Sequence, residues 1–579
     1  MIRESFEKYK NWRRLAVADP DLIAELCGML PEDTEPDSVV PEELSAECAE
    51  KIESAFASEL SFGTAGLRGV IGAGTDRMNI YTVARTSQGI ADYIKAHYAA
   101  PDRKVAVSYD SRIKSELFAR TAASVFAANG IKCYIFNRLM PTPCLSFAVR
   151  YYGCSAGVMI TASHNPSKYN GYKVYGSDGC QITGDACDEI LSALSGIDYF
   201  FGVKNRPFKD CFAEGIVEFV SEEAIDAYIA AVKKESLIGD AAIDRNIAIV
   251  YSPLHGTGLE PVTRILKESG FGNITVVKEQ EEPDGNFTTC PYPNPEIREA
   301  LSIGLEYADR LGAELMLATD PDADRVGIAI KTAGGHKLLT GNEVGVLLTD
   351  WICRRRIDTG RMPANPTIVK TIVTTDLADR VAESYGVRVV NVLTGFKYIG
   401  DVIASLEAVG HPESYILGFE ESYGYLSGSY VRDKDAVDAS LLICEMFAHY
   451  RALGMSLLDR LEEIYGRFGY SLNTQHSYYF EGLDGKERMS AITAGIRKGT
   501  EEIAGRKVLR ALDYLTGIDG LPASDVVKFT LEGGCTLCIR PSGTEPKVKA
   551  YISVSAPDRE TAGRIEAEIA AAVAGIMKA

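Results

Sequence analysis

Along most of this chain the apolar residues come in short runs, each closed by small and polar residues and followed by helical spacing. KVAVSYDSR (104–112), NIAIVYSPLHGTG (246–258) and TIVKTIVTTDLADR (367–380) all follow that plan. Such runs read as β-strands feeding helices, and their alternation predicts α/β units with mixed or mostly parallel sheets. Their spacing, on the order of 120 to 140 residues, predicts three related domains. Ahead of them, residues 1 to about 60 read as helical and acidic, broken by polar loops such as PEDTEPDSVVPEE. From about residue 470 a fourth region has strands of its own, VVKFTLEGGCTLCIRPSG and KVKAYISVSA, and ends in an Ala-rich amphipathic helix. These features predict domains over 1–220, 221–335, 336–465 and 466–579.

Composition narrows the class. At 579 residues the chain is too long for one core. With 46% hydrophobic and 24% charged residues it has ample material for several. A formal charge of -19 argues against nucleic acid or an anionic membrane as partner, because phosphate surfaces select basic faces. The thirteen cysteines are scattered singly and odd in number, which suits reduced thiols. The lone C-x-x-C, Cys535 to Cys538, lies in a strand-like run and reads as two core cysteines. The charged N-terminus is no signal peptide, and no run approaches the ~18 apolar residues of a membrane span. A soluble cytoplasmic protein, monomeric or homodimeric, is the expectation.

Four polar loops then stand out. ITASHNPSKYNGYKVY (160–175) lies between strand-like runs, where a scaffold presents reactive groups, and sets Ser163 beside His164 with Lys173 ten residues on. DPDADR (320–325) falls between the apolar runs AELMLA and VGIAI. Its Asp320, Asp322 and Asp324 alternate, so an extended chain points all three carboxylates one way, where a hard cation such as Mg²⁺ neutralises them. A calcium-binding EF-hand fails here, since the sixth position is Arg325 and the twelfth is Lys331. GFEESYG (418–424) offers Glu420, Glu421 and Ser422, the equipment for polyol hydroxyls, with Lys397 a little upstream and the charged run RDKD (432–435) downstream. RPSGTEPK (540–547) has the make-up of a phosphate nest, and no Walker loop occurs. The Gly-rich FGTAGLRGVIGAGTDRMN (62–79) reads equally as a turn-rich hairpin or as an anion loop built around Arg68.

Taken in order, TASHNP, DPDADR, GFEESYG and RPSGTEPK resemble the α-D-phosphohexomutase family, the phosphoglucomutases and phosphomannomutases, over nearly the whole chain. GFKYIG, EESYGY and RDKDAV look closest to its phosphoglucomutase and phosphopentomutase-type branch. The resemblance implies four domains in a heart-shaped arrangement, three related α/β domains with mixed sheets and a smaller C-terminal α+β domain, with the active site in a central cleft. It implies Ser163 as the phosphoserine, with Mg²⁺ held by its phosphate, Asp320, Asp322 and Asp324. Glu420 and Ser422 are similar to sugar-hydroxyl contacts. Arg540, Ser542, Gly543 and Thr544 resemble a grip on the non-reacting phosphate. Arg68 and Lys173 resemble proton-transfer residues, and Arg325 and Lys397 supporting cations. His164 reads better as positioning the loop than as a base; Lys173 is preferred for that role, which needs a lowered pKa.

The implied reaction interconverts glucose 1-phosphate and glucose 6-phosphate through a bisphosphate, with glucose 1,6-bisphosphate as activator. A phosphopentomutase or phosphomannomutase is the alternative, and a sugar-phosphate binder without catalysis is the reading from another class. Gly424 stands where dual-specificity members carry a histidine, which favours glucose.

Overall fold

The strand-like run that leads into ITASHNPSKYNGYKVY forms as Ala156–Ile160, and all five of its residues are buried. A strand covered on both faces has no polar side to alternate with, so it reads as one apolar run. In the computed structural model, which describes residues 2–63, 66–480, 485–518, 520–542 and 547–578, this strand lies in a seven-stranded sheet. The order is Phe62–Gly63, Gly66–Val70, Tyr169–Gly176, Ala156–Ile160, Lys104–Tyr109, Lys132–Ile135, Val217–Phe219. Ala156–Ile160 runs parallel to Lys104–Tyr109 and antiparallel to Tyr169–Gly176. The sheet is therefore mixed, in line with the apolar pattern. The Gly-rich stretch does form a hairpin, whose second strand, Gly66–Val70, pairs with Tyr169–Gly176.

Helix Ile80–His97 starts at a reciprocal cap: the Asn79 side chain accepts from the Tyr81 and Thr82 N–H groups, and the Thr82 hydroxyl accepts from the Asn79 N–H. The N-terminal helices Ile2–Leu15, Pro20–Cys27 and Ala46–Phe56 share an aromatic core. Trp12 is buried there, with the rings of Phe56, Tyr81, Tyr199 and Phe200 at 5.4 to 5.8 Å. A five-stranded sheet follows, ordered Gly335–Leu339, Val326–Thr332, Leu315–Thr319, Ile249–Ser252, Ile274–Val276. Leu315–Thr319 is parallel to Ile249–Ser252 and antiparallel to Val326–Thr332. These elements belong to one compact unit made of Met1–Ser236, Arg245–Leu338 and Gly428–Leu441.

A second unit comprises Leu237–Asp244, Leu339–Ser427 and Leu442–Ala579. Its first sheet is ordered Arg388–Val392, Thr367–Thr371, Tyr415–Glu420, Gly424–Leu426, parallel except for the last pair. Helix Gly341–Asp358 also starts at a capping box, between Thr340 and Glu343, and buries Val344, Leu347, Leu348, Trp351 and Ile352. Its Asp350 takes two hydrogen bonds from Arg460 of helix Leu457–Phe468, at 2.7 and 2.9 Å. The other sheet is antiparallel, ordered Tyr470–Tyr479, Lys547–Ala556, Cys535–Pro541, Val527–Leu531, Arg506–Asp513, Glu502–Ile503. Cys535 and Cys538 are both buried there, and burial pushes the Cys538 thiol up to about 12. They are core cysteines. Among the described residues, no single helix is long and apolar enough to cross a membrane.

Candidate active site

In the first unit the chain leaves Ala156–Ile160, turns, and returns as Tyr169–Gly176. Ser163 sits in the turn at φ +51°, a left-handed conformation that costs a non-glycine residue roughly 1–3 kcal/mol and persists only where neighbours enforce it. Its N–H donates to Thr161 Oγ1 at 2.8 Å. Below the loop, the Arg112 guanidinium donates to the carbonyls of Ser163, Asn165, Pro166 and Tyr169. The Ser163 hydroxyl, only 4% exposed, donates to Asp320 Oδ2 at 2.9 Å, and His164 Nδ1 lies 3.2 Å from it.

The aspartates converge, but not by the route the alternation suggests. DPDADR is a tight turn between antiparallel strands: the Ala323 N–H donates to the Asp320 carbonyl at 2.9 Å, and Ala323 has φ +47°. Asp320 Oδ1 accepts the Asp324 and Arg325 N–H groups at 3.1 and 3.0 Å, closing the turn with its own carboxylate. The Thr257 N–H donates to the Pro321 carbonyl at 2.8 Å. Next to it Gly256 passes so close that a Cβ there would lie 2.5 Å from Pro321 Cα. An extended strand would have pointed the three side chains along one face; the turn gathers them at one end.

Asp320, Asp322 and Asp324 are buried and offer oxygens within 4.8 Å of one another. Burial, then Asp324 and Asp322, hold the Asp320 carboxyl well above the usual carboxylate range. Burial acts the same way on Asp322 and Asp324, but cations outweigh it and both carboxyls are lowered. Lys173 Nζ lies 2.7 Å from Asp322 Oδ2 and 3.3 Å from Asp324 Oδ2, and Lys434 Nζ lies 3.2 Å from Asp324 Oδ2. Asp322 Oδ1 and Asp324 Oδ1 are buried with no hydrogen-bond partner. Buried carboxylate oxygens without donors, beside a third carboxylate, are what a hard divalent cation coordinates. The residues fit a metal.

The same charges set the neighbours. Burial, then Arg325 and Arg68, hold the His164 imidazole well below its ordinary pKa, so it is neutral. Burial pulls Lys173 down, yet Asp322 and Asp324 more than offset it and its pKa is raised, the opposite of the lowering that a base role for Lys173 needs. Arg68 is exposed on Gly66–Val70, its backbone paired with Gly171 on the strand that carries Lys173. Arg325 bonds Glu296 at 2.7 Å and lies 3.8 Å from Asp324.

In the second unit Glu420 ends strand Tyr415–Glu420 and accepts the Gly395 N–H at 2.9 Å, which brings in the helix Phe396–Ala408 that carries Lys397. Glu421 accepts from the hydroxyls of Thr371 and Thr374, each at 3.2 Å. Ser422 follows, partly exposed. Arg540 lies in Cys535–Pro541, and its charge and that of Glu421 both reach Tyr551. The Ser542 N–H donates to the Lys547 carbonyl at 2.8 Å. Gly543 and Thr544 lie outside the described residues.

Three site residues escape the motif reading. Lys434 stands out in the sequence only as part of a charge run. Thr142, whose hydroxyl donates to Asp322 Oδ2 and whose N–H donates to the Asp322 carbonyl, both at 2.9 Å, gives no signal there. Arg112 has only its place after a strand to mark it.

Four family profiles match the chain in order: Phosphoglucomutase/phosphomannomutase, alpha/beta/alpha domain I at residues 59–199, domain II at 226–335, domain III at 340–468, and the C-terminal domain at 493–572. A phosphoglucomutase of Staphylococcus saprophyticus is 36% identical over 534 residues, covering 90% of this chain and 94% of its own length. One from Staphylococcus haemolyticus is also 36% identical, covering 88% and 92%. Among solved structures, a Thermus thermophilus protein assigned as a phosphomannomutase is similar with a TM-score of 0.67 at 23% identity, covering 90% of this chain and 100% of that one.

Proposed function

Because the chain belongs to the phosphoglucomutase/phosphomannomutase family and is a phosphohexomutase, we propose that it interconverts glucose 1-phosphate and glucose 6-phosphate in the cytoplasm, with Ser163 as the phosphoryl carrier. What carries this reading is the Ser163 hydroxyl, 2.9 Å from an aspartate whose two partners hold buried oxygens without donors. Asp320, Asp322 and Asp324, with the phosphoryl group on Ser163, would hold Mg²⁺, which when bound offsets charge on the transferring group.

Phosphoserine gives its phosphoryl group to a free sugar hydroxyl: the P–O bond to Ser163 breaks, a P–O bond to the sugar forms, and the hydroxyl proton leaves. The product is glucose 1,6-bisphosphate. Its other phosphate then returns to Ser163, leaving the isomer and restoring the enzyme. Little covalent chemistry falls to the protein, so positioning and charge dominate. Lys173 and Arg68 are assigned to the proton of the reacting hydroxyl; Lys173 accepts it only in its neutral form, which requires that the charges of Asp322 and Asp324, which now raise its pKa, be neutralised. Neutral His164 holds the seryl oxygen without competing for that proton. Arg325 and Lys397 neutralise phosphate charge, Glu420 and Ser422 read sugar hydroxyls, and Arg540, Ser542, Gly543 and Thr544 hold the non-reacting phosphate.

Substitution tests the centre of this reading. Ser163→Ala should take no phosphoryl group from glucose 1,6-bisphosphate and show no isomerisation of glucose 1-phosphate, followed by coupled assay and intact-protein mass. Retained turnover would refute it. Pentose or mannose 1-phosphate turned over as well as glucose 1-phosphate would move the substrate assignment to the alternative.

A further inference from the structure

We propose that Arg112 is the positioning residue of Ser163, its guanidinium imposing the left-handed turn that aims the seryl oxygen at Asp320. The inference rests on Ser163 being the phosphoryl carrier. The Arg112 side chain is fully buried, and the four carbonyls it serves, those of Ser163, Asn165, Pro166 and Tyr169, belong to one turn and the first residue of the strand that follows it. Of these carbonyls that of Pro166 also accepts the Tyr169 N–H, at 3.1 Å, and buried carbonyls left short of donors are costly. One planar fork supplies the donors and so ties the turn's shape to a single group.

The fork is itself fixed on three sides. Asp110 Oδ2 lies 3.3 Å from Arg112 Nε, and its other oxygen accepts the Arg112 N–H at 3.0 Å and the Ser115 hydroxyl at 2.7 Å. The Asp110 N–H donates to the Ile160 carbonyl at 3.1 Å, so this segment starts in register with the strand leading to Ser163. The ring of buried Phe287 covers the guanidinium at 5.0 Å, an attractive cation–π contact. Phe287 is held there by a loop in which a Cβ on Gly285 would lie 2.7 Å from the Ile113 nitrogen. The Arg112 charge is also felt by Asp322 and Asp320, so the test has to separate the shape of the fork from its charge.

Lysine keeps the charge but not the planar fork, so Arg112→Lys separates shape from electrostatics. The measurements are the rate at which glucose 1,6-bisphosphate phosphorylates Ser163, by intact-protein mass, together with kcat and KM for glucose 1-phosphate. A displacement of about 1 Å can cost roughly 10²-fold. The expected result is a fall of that order in both phosphorylation rate and kcat, with KM and the circular dichroism spectrum unchanged. Phe287→Leu, which keeps the apolar cover and removes the ring face, should give the same signature more weakly and serves if Arg112→Lys does not fold. Unchanged rates in whichever variant folds, or a loss no larger than the loss of folded protein, would overturn the positioning role. If the unsubstituted chain took no phosphoryl group, the carrier reading would fall instead.

Discussion

Lys173 stands where two claims on the same carboxylates meet. Its ammonium pairs with Asp322 and Asp324, whose second oxygens have no donor. If it handles the proton of the sugar hydroxyl, Lys173→Ala should lower kcat by roughly 10²–10⁴-fold and change KM little. Thr142 tests the metal separately. Partners that orient a ligand typically contribute roughly 10–100-fold in metal affinity, so Thr142→Val should weaken Mg²⁺ binding by about that factor in titration calorimetry. An unchanged affinity would show that Asp322 needs no such orientation. His164 adds a pH effect. Its folded pKa lies below its unfolded one, so in acid the unfolded chain takes up a proton that the folded chain does not. Stability should fall as pH drops below about 6.5, and less so in His164→Asn, by thermal melts at about pH 7.5 and 5.5. Ser163 and the aspartates were legible because each motif is contiguous and chemically unusual. Arg112 and Thr142 were not, because their partners lie 51 and 180 residues away and any strand or helix end can carry such residues.

At the scale of elements, local chemistry reads well and closure reads poorly. The capping box at Thr340, the apolar strands and the buried cysteine pair all follow from adjacent residues. DPDADR shows the limit: alternation named the right carboxylates, but a turn closed by Asp320 brings them together. The two helices joined by Asp350 and Arg460 give a stability prediction. Both side chains are nearly fully buried, and two tyrosine hydroxyls, Tyr385 and Tyr450, complete the shell around Asp350. Removing one member of a buried pair strands the other, at roughly 3–5 kcal/mol. Asp350→Ala should lose that much in urea unfolding; a loss under about 1 kcal/mol would mean that Glu463, 2.6 Å from Arg460, or water serves the guanidinium instead.

For the whole molecule, the presence of two compact units predicts unfolding that is not all-or-none. Calorimetry should return a measured enthalpy larger than the van't Hoff value. The aspartate triad belongs to the first unit, so saturating Mg²⁺ should raise the transition of that unit and leave the other in place. A single transition that shifts as one would show that the units unfold together. The chain has only two tryptophans, one in each unit: Trp12 inside its ring of aromatics and Trp351 against His449 and Tyr450. The protein thus comes with its own pair of optical labels. With Trp351→Phe the remaining emission reports the half that carries Ser163, and with Trp12→Phe the half that carries Arg540. Unfolding can then be followed by colour in one half at a time, without a dye.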